Sequence, residues 1–344
     1  MSSLKYIDED FHGQLRKSQL NAGDLVMVRT GEPGVAAVIP EGLGAVNCSD
    51  LVIARPDPDV NVHFLCYAIN ETARDFVRAH TVGAVQQHFN VASAKQLALR
   101  LPSRREQDSV AAVLGALDDK IAVNERIADT AERLCQCLCS EESWDARTTV
   151  DSIAALRKEQ VSPAALNADT VAHYSLPAFD SGRMPELTVP QAIKSAKFVI
   201  REPAVLLSKL NPDIPRVWRV APELETPALA STEFLVLEPH SGVTTSELWA
   251  VLSQPELLRG LAAKVTGTSR SHQRVRPAEV MSSEIVDPRK LGAVRGKVQS
   301  LAQRAMTARD ESRALAALRD ALLPQLMSGK LRVRDAERIV EDAV

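Results

Sequence analysis

Residues 104–142, RREQDSVAAVLGALDDKIAVNERIADTAERLCQCLCSEE, hold an unbroken heptad seam. Val110, Leu114, Leu117, Ile121, Asn124, Ala128, Ala131, Cys135 and Leu138 follow one another in alternating steps of four and three, so they line one stripe of a helix. No proline interrupts the stripe, and Gly115 is its one weak residue. A second seam runs through Leu291, Val294, Val298, Leu301, Ala305, Ala308, Ser312 and Leu315 to Leu318 and Leu322; Pro324 and Gly329 mark its end. At about 1.5 Å per residue, each predicts a helix of roughly 50–60 Å, a length suited to a spacer or a dimerising arm. Asn124 stands where an apolar residue would be stabler. Either it fixes register and helix partner at a cost in stability, or that turn faces water.

Outside the seams the texture changes to short apolar runs punctuated by Gly, Pro, Asn and Asp. Residues 25–28, 35–39 and 51–53 read as strands, and so do 205–207, 217–220 and 234–237. An amphipathic helix follows each set, over about 62–79 and about 246–264. The two sets form an internal repeat. Asp24 to Arg29 pairs with Ala204 to Lys209 at an offset of 180, and Ser49 to Ile53 with Thr232 to Val236 at 183. His88 to Val91 pairs with His272 to Val275 at 184, and Leu101-Pro102 with Asp287-Pro288 just before each long helix. The expected architecture is a mixed α/β (α+β) unit present twice, each capped by a long helix. Residues 151–189 have no counterpart in the first unit, which reads as already under way where the sequence starts.

The 344 residues suit about two domains, and 45% hydrophobic with 25% charged residues is an ordinary globular composition. With 41 basic and 44 acidic side chains the net charge is −3, which taken alone argues mildly against nucleic-acid binding. No apolar run approaches the roughly 20 residues of a membrane-spanning helix. The opening MSSLKYIDEDFHGQ has no signal-peptide apolar region, and five cysteines make a poor disulfide framework. A cytoplasmic protein with no membrane partner is expected.

No phosphate-binding glycine loop, metalloprotease motif or nucleophile elbow is present. Gly42-Leu43-Gly44 reads as a hairpin turn. Cys135, Cys137 and Cys139 lie two apart on a helix, so their thiols cannot converge on a metal, and they read as packing residues. No metal site is expected. The most informative cluster is residues 264–276, KVTGTSRSHQRVR, which has no acid until Glu279. Thr268, Ser269, Arg270, Ser271, His272, Gln273, Arg274 and Arg276 suit phosphates and base edges, although a solvated polar loop would look similar. The matching loop of the first unit keeps Gln86, Gln87, His88 and Asn90. Arg29-Thr30 and Lys209 with Asn211 directly follow the matched strands, as DNA contacts or as simple turns.

The pattern resembles the DNA-specificity subunit of type I restriction–modification enzymes. The residues that carry it are LNAGDLVMVRTG (20–31), GAVNCSDLVI (44–53), FVI (198–200), LLSKLNP (206–212) and LRDALLPQLMSG (318–329), with the two-unit order spanning residues 11–335. The resemblance implies two target-recognition domains in tandem repeat, each reading half of a bipartite site on double-stranded DNA. The boundaries would be 1–103 for the first domain, 104–143 for the first long helix and 144–288 for the second domain. A second long helix at 289–330 and a C-terminal tail at 331–344 complete the division. The helices would form an antiparallel coiled-coil pair between the domains, with Leu114, Leu117, Ile121, Asn124, Val298, Leu301, Leu315 and Leu322 in its interface. Such a pair would set the half-site spacing and dock two modification methyltransferase subunits and a restriction/translocase subunit. The resemblance also implies that this chain is non-catalytic and holds no cofactor; S-adenosylmethionine, ATP and Mg²⁺ would belong to the partner subunits. The first domain departs from the family in lacking the opening segment, as a late start or truncation of the reading frame would produce. The alternative is a coiled-coil protein-interaction scaffold without DNA binding, and salt-dependent, sequence-selective DNA binding separates the two.

Overall fold

The computed structural model of the chain describes residues 5–79, 89–140, 144–223, 225–265 and 273–343. They fall into two units, Met1–Asn124 with Asp310–Val344, and Glu125–Arg309. Both divisions lie inside the long helices, so each unit owns part of both.

The first unit begins with α1 (Glu9–Gln14) and five short strands, β1 (Gln19–Leu20), β2 (Leu25–Val28), β3 (Ala36–Val38), β4 (Val46–Asn47) and β5 (Leu51–Ala54). Then come α2 (Val62–Thr72), α3 (Arg74–Ala79), α4 (Val91–Ala94) and α5 (Arg104–Leu138). β2 is the centre of an antiparallel sheet ordered β3-β2-β5, and β1 pairs with β4 separately. The single helix expected over 62–79 is two. The Thr72 hydroxyl donates to the Ala68 carbonyl at 2.6 Å, a back-bond that competes with the helix ladder where the chain bends. One face of α2–α3 carries Ile69, Ala73 and Val77 onto Leu25, Met27, Ala36 and Val52 of the sheet. Phe64 and Ala68 pack instead with Val110, Leu114 and Leu117 of α5.

The second unit contains β6 (Arg147–Thr149), α6 (Val150–Ile153), β7 (Ala154–Arg157), β8 (Gln160–Val161), β9 (Val171–Tyr174), α7 (Leu176–Asp180), β10 (Glu186–Thr188), β11 (Lys197–Ile200), β12 (Ala204–Ser208) and β13 (Val217–Val220). It continues through β14 (Ala228–Ala230), β15 (Phe234–Pro239), α8 (Thr245–Leu252), α9 (Pro255–Ala263), α10 (Pro277–Met281) and β16 (Glu284–Val286) into α11 (Val294–Met327). The helix expected over 246–264 is also two, because Pro255 has no N–H to continue α8 and instead opens α9 at its first turn. Four strands order as β13-β12-β15-β7 and five as β10-β9-β14-β11-β8, while β16 pairs with β6. Leu206, Trp218, Phe234 and Val236 of the four-stranded sheet are buried with Tyr174 and Ala230 of the five-stranded one and with Phe179 of α7.

The repeat holds at the level of strand pairing. The order β3-β2-β5 matches β13-β12-β15, and the pairing Leu20↔Val46 matches Ile200↔Ala228. Among the described residues the first unit has no counterpart of β6 to β10, supplied by residues 147–188, nor of β16, which pairs with β6. Its sheet therefore has three strands where the second has four, and its outer layer two where the second has five.

The long helices pack antiparallel in both units. In the first, Asp118 meets Arg319 at 2.6 Å, and the Ser312 hydroxyl donates to the Ile121 carbonyl. In the second, Glu132 meets Arg309 and the Cys135 thiol meets the Val298 carbonyl. Numbers rise on one helix as they fall on the other. Leu114, Leu117, Leu315 and Leu322 are buried together with Ile121 at their edge, Val298 is buried, and Leu301 packs against Ala128, Ala131, Ala305 and Ala308. Cys135 and Cys139 are buried in the second unit's core while Cys137 is exposed. Burial pushes the Cys135 thiol up to about 11 and the Cys139 thiol to about 12, so both pack as small apolar groups.

Asn124 is 1% exposed, so the water-facing reading fails, and its Nδ2 finds no partner among the described residues. Asn124→Leu is expected to raise stability by about 1–2 kcal/mol, because it removes an unmet buried donor. Urea unfolding of the variant would check this; a lower midpoint would contradict it. The helix also runs past Pro324, whose nitrogen has no N–H for the ladder, and ends at Met327 with Gly329 at φ 70°. Residues 333–343, expected as a tail, form α12 (Val333–Ala343), which buries Ala336 in the first unit.

Candidate nucleic-acid interface

β12 is a fully buried strand, and its last residue turns the chain. The Ser208 hydroxyl donates to the Leu210 carbonyl at 2.9 Å and accepts from the Leu210 N–H. Past the turn, Asn211 adopts φ 47°, a left-handed conformation that asparagine tolerates better than most residues. The Asn211 N–H donates to the Gln273 carbonyl at 2.9 Å, and the Val275 N–H donates to the Lys209 carbonyl at 3.0 Å. Between them Leu210 bridges Arg274 in antiparallel register. Two segments more than 60 residues apart in sequence, 209–211 and 273–275, thus form one small ladder.

An acid completes it. The Lys209 N–H donates to the Glu233 carbonyl at 3.0 Å, and the Glu233 carboxylate accepts from Arg274 Nε at 3.0 Å and Nη2 at 2.9 Å. The Arg274 hydrogen bonds hold the Glu233 carboxyl below its ordinary range; burial opposes this, and the charges of Arg274 and Lys209 add to the lowering. The group therefore stays ionised at neutral pH. Arg276 is exposed and occupies the N-cap of α10.

The first unit repeats this backbone geometry. The Arg29 N–H donates to the Asp50 carbonyl at 3.2 Å, and the Phe89 N–H donates to the Arg29 carbonyl at 3.0 Å. The Thr30 hydroxyl donates to the Asp50 carboxylate. Arg29 Nε and Asn211 Oδ1 are both buried without a hydrogen-bond partner among the described residues. The Asn90 side chain caps α4 by accepting from the Ser93 N–H at 2.8 Å. Phe89 and Val275, both buried, are the structurally equivalent residues, so the register here is 186 and not the 184 expected from the two histidines. The anchor of the match is the buried apolar residue, Phe89 or Val275.

Of the sequence-derived candidates, Lys209, Asn211, Gln273 and Arg274 come together in the second unit, and Arg29, Thr30 and Asn90 lie around the matching turn in the first. Gln86, Gln87, His88, Thr268, Ser269, Arg270, Ser271 and His272 lie outside the described residues. Asp50 and Glu233 were missed as functional candidates, although the repeat itself carries an acid at both positions.

A cavity of about 540 Å³ opens beside this turn in the second unit, with Pro212, Asp213, Phe179, Trp249 and Leu258 among its walls. It carries no histidine, cysteine or lysine, and its Glu132 is held by Arg183 and Arg309. Among the described residues no three metal-ligating side chains converge, and no helix is long and apolar enough to cross a membrane.

No protein-family model matches the chain, and no curated protein matches it. Solved structures do. The S subunit of the type I restriction–modification system from M. genitalium is 16% identical over 90% of this chain and 84% of its own, with a TM-score of 0.51. The HsdS subunit from Thermoanaerobacter tengcongensis is 14% identical over 91% and 82%, with a TM-score of 0.34. A chain from a study of complex assembly and conformational transition in the type I R-M system is 14% identical over 91% and 83%, at 0.38. The M. genitalium match, the repeated mixed α/β units and the antiparallel helix pair agree: the chain has the fold of a type I restriction–modification S subunit.

Proposed function

We propose that this chain is the DNA-specificity subunit of a type I restriction–modification complex, working in the cytoplasm on double-stranded DNA. Each unit reads one half of a bipartite site through the turn after its central strand, and the helix pair sets the spacing between the halves. The chain makes and breaks no bond itself. Two modification methyltransferase subunits and a restriction/translocase subunit dock on it and bring S-adenosylmethionine, ATP and Mg²⁺. The observation that carries this reading is the constellation found twice on this fold. The residue directly after the strand, Arg29 or Lys209, donates its backbone N–H to the backbone carbonyl of an acidic residue, Asp50 or Glu233, and its own carbonyl accepts from the N–H of Phe89 or Val275. Strand-end turns that combine cations, hydroxyls and amides suit phosphate oxygens and base edges.

The test is binding of labelled duplex DNA to the chain co-purified with its modification subunit, titrated with salt. Affinity is expected to fall steeply with a linear log–log slope, by about a thousandfold between roughly 50 and 200 mM if six or more phosphates are contacted. The chain alone, with its net charge of −3, is expected to bind more weakly than the complex. Absence of DNA binding by the complex would overturn the reading and favour the scaffold.

A further inference from the structure

Arg274 and Glu233 form a two-point contact in which two parallel N–H groups meet both carboxylate oxygens. Such a fork fixes the plane of the guanidinium as well as its position. The pair is neither a buried core contact nor a free surface one, with side-chain exposures of 40% for Arg274 and 27% for Glu233. Both partners are also fixed from behind. The Glu233 N–H donates to the Ser231 hydroxyl at 3.3 Å, and Arg274 lies in the ladder opposite Leu210. In the first unit Asp50, the repeat equivalent of Glu233, holds the Thr30 hydroxyl and takes φ 62°. One position in each unit thus presents an acid that immobilises a DNA-competent side chain beside a cation.

We propose that Glu233 and Asp50 are specificity-positioning residues, which orient Arg274 and Thr30 so that each half-site is read at a fixed base pair. This rests on the DNA-reading function proposed above. An unheld arginine on a long stem follows phosphates wherever they lie, which adds affinity without sequence information. An arginine locked in one plane can meet a base edge only in one register. The acid has a second effect: it cancels one of the two positive charges of Lys209 and Arg274, and so lowers attraction to arbitrary DNA.

Selection from a random-sequence duplex library, with the full chain bound to its modification subunit, tests this. The wild type should yield a motif with two halves. Glu233→Gln should lose about tenfold discrimination at one base pair in one half, leave the other half intact, and bind unselected DNA at least as tightly. Arg274→Lys, which keeps the charge but not the fork, should relax the same half, and Glu233→Asp should restore part of it. Asp50→Asn should relax the opposite half. A purely structural role would instead lower the unfolding midpoint and weaken both halves together, which would overturn the proposal. So would wild-type motifs from both Glu233→Gln and Arg274→Lys. A wild-type complex that selects a two-part motif which none of these variants relaxes would overturn this inference alone; one that selects no motif, or binds no DNA, would overturn both.

Discussion

Trp218→Ala is expected to destabilise the second unit by about 3–5 kcal/mol, as measured by urea unfolding. Trp218 sits on β13, buried between the four-stranded and five-stranded sheets. Its ring centre lies 4.9 Å from Tyr174, 5.7 Å from Phe179 and 6.3 Å from Phe234. Truncation removes the largest side chain in that layer and leaves a gap that two hydrogen-bonded sheets cannot close. Trp218→Phe keeps a ring in the gap and should lose less. The equivalent position in the first unit is Ala37, paired with Val26 as Trp218 is with Leu206, and Ala37 is exposed. Ala37→Ser should therefore change stability by less than about 0.5 kcal/mol. Losses of similar size at the two positions would contradict this account of the packing.

Glu247→Ala is expected to cost about 3 kcal/mol. The carboxylate is only 2% exposed, yet it accepts three hydrogen bonds from two partners. It accepts from the Thr244 N–H at 2.8 Å, closing a capping box at the start of α8, and from Arg295 Nε at 2.5 Å and Nη2 at 3.1 Å. Removing it leaves the cap half made and the Arg295 guanidinium without its acid. A fully buried pair would cost up to about 5 kcal/mol, but Arg295 is 35% exposed and recovers part of its hydration. Glu247→Gln retains an acceptor for Thr244 and should lose about half as much. Equal losses for the two variants would show that the charge contributes most of the effect and the cap little.

The elements legible in the sequence are those whose residues signal locally. A period of three and four over 30 residues can be satisfied only by one face of a helix, so the seam positions from Val110 to Leu138 and from Val294 to Leu322 lie on the two long helices as read; Leu291 falls before α11, in the turn that follows Pro288. Strands β2, β12, β13 and β15 announced themselves as apolar runs between turn residues. The five-stranded sheet did not. β8 has two residues, β10 has three, and Leu187 on β10 is 68% exposed, so neither length nor alternation marks them. The breaks at Thr72 and Pro255 and the helix over 333–343 were present in the residues but outweighed by the longer pattern. The Glu233–Arg274 contact was illegible for a different reason. It depends on a ladder between segments far apart in sequence, which no local rule reports.

The division of the long helices governs how the chain can be made. The second unit is one contiguous stretch, Glu125–Arg309, so all its parts have been synthesised once residue 309 has left the ribosome. The first unit is not contiguous: Val110, Leu114 and Leu117 are buried by Leu315, Leu322, Leu326 and Ala336. Its core stays open for the whole time the intervening 185 residues are translated, with a loop of that length to close at the end. The unit that starts first is completed last, and during that interval the apolar face of α5 is the surface that a chaperone would have to cover.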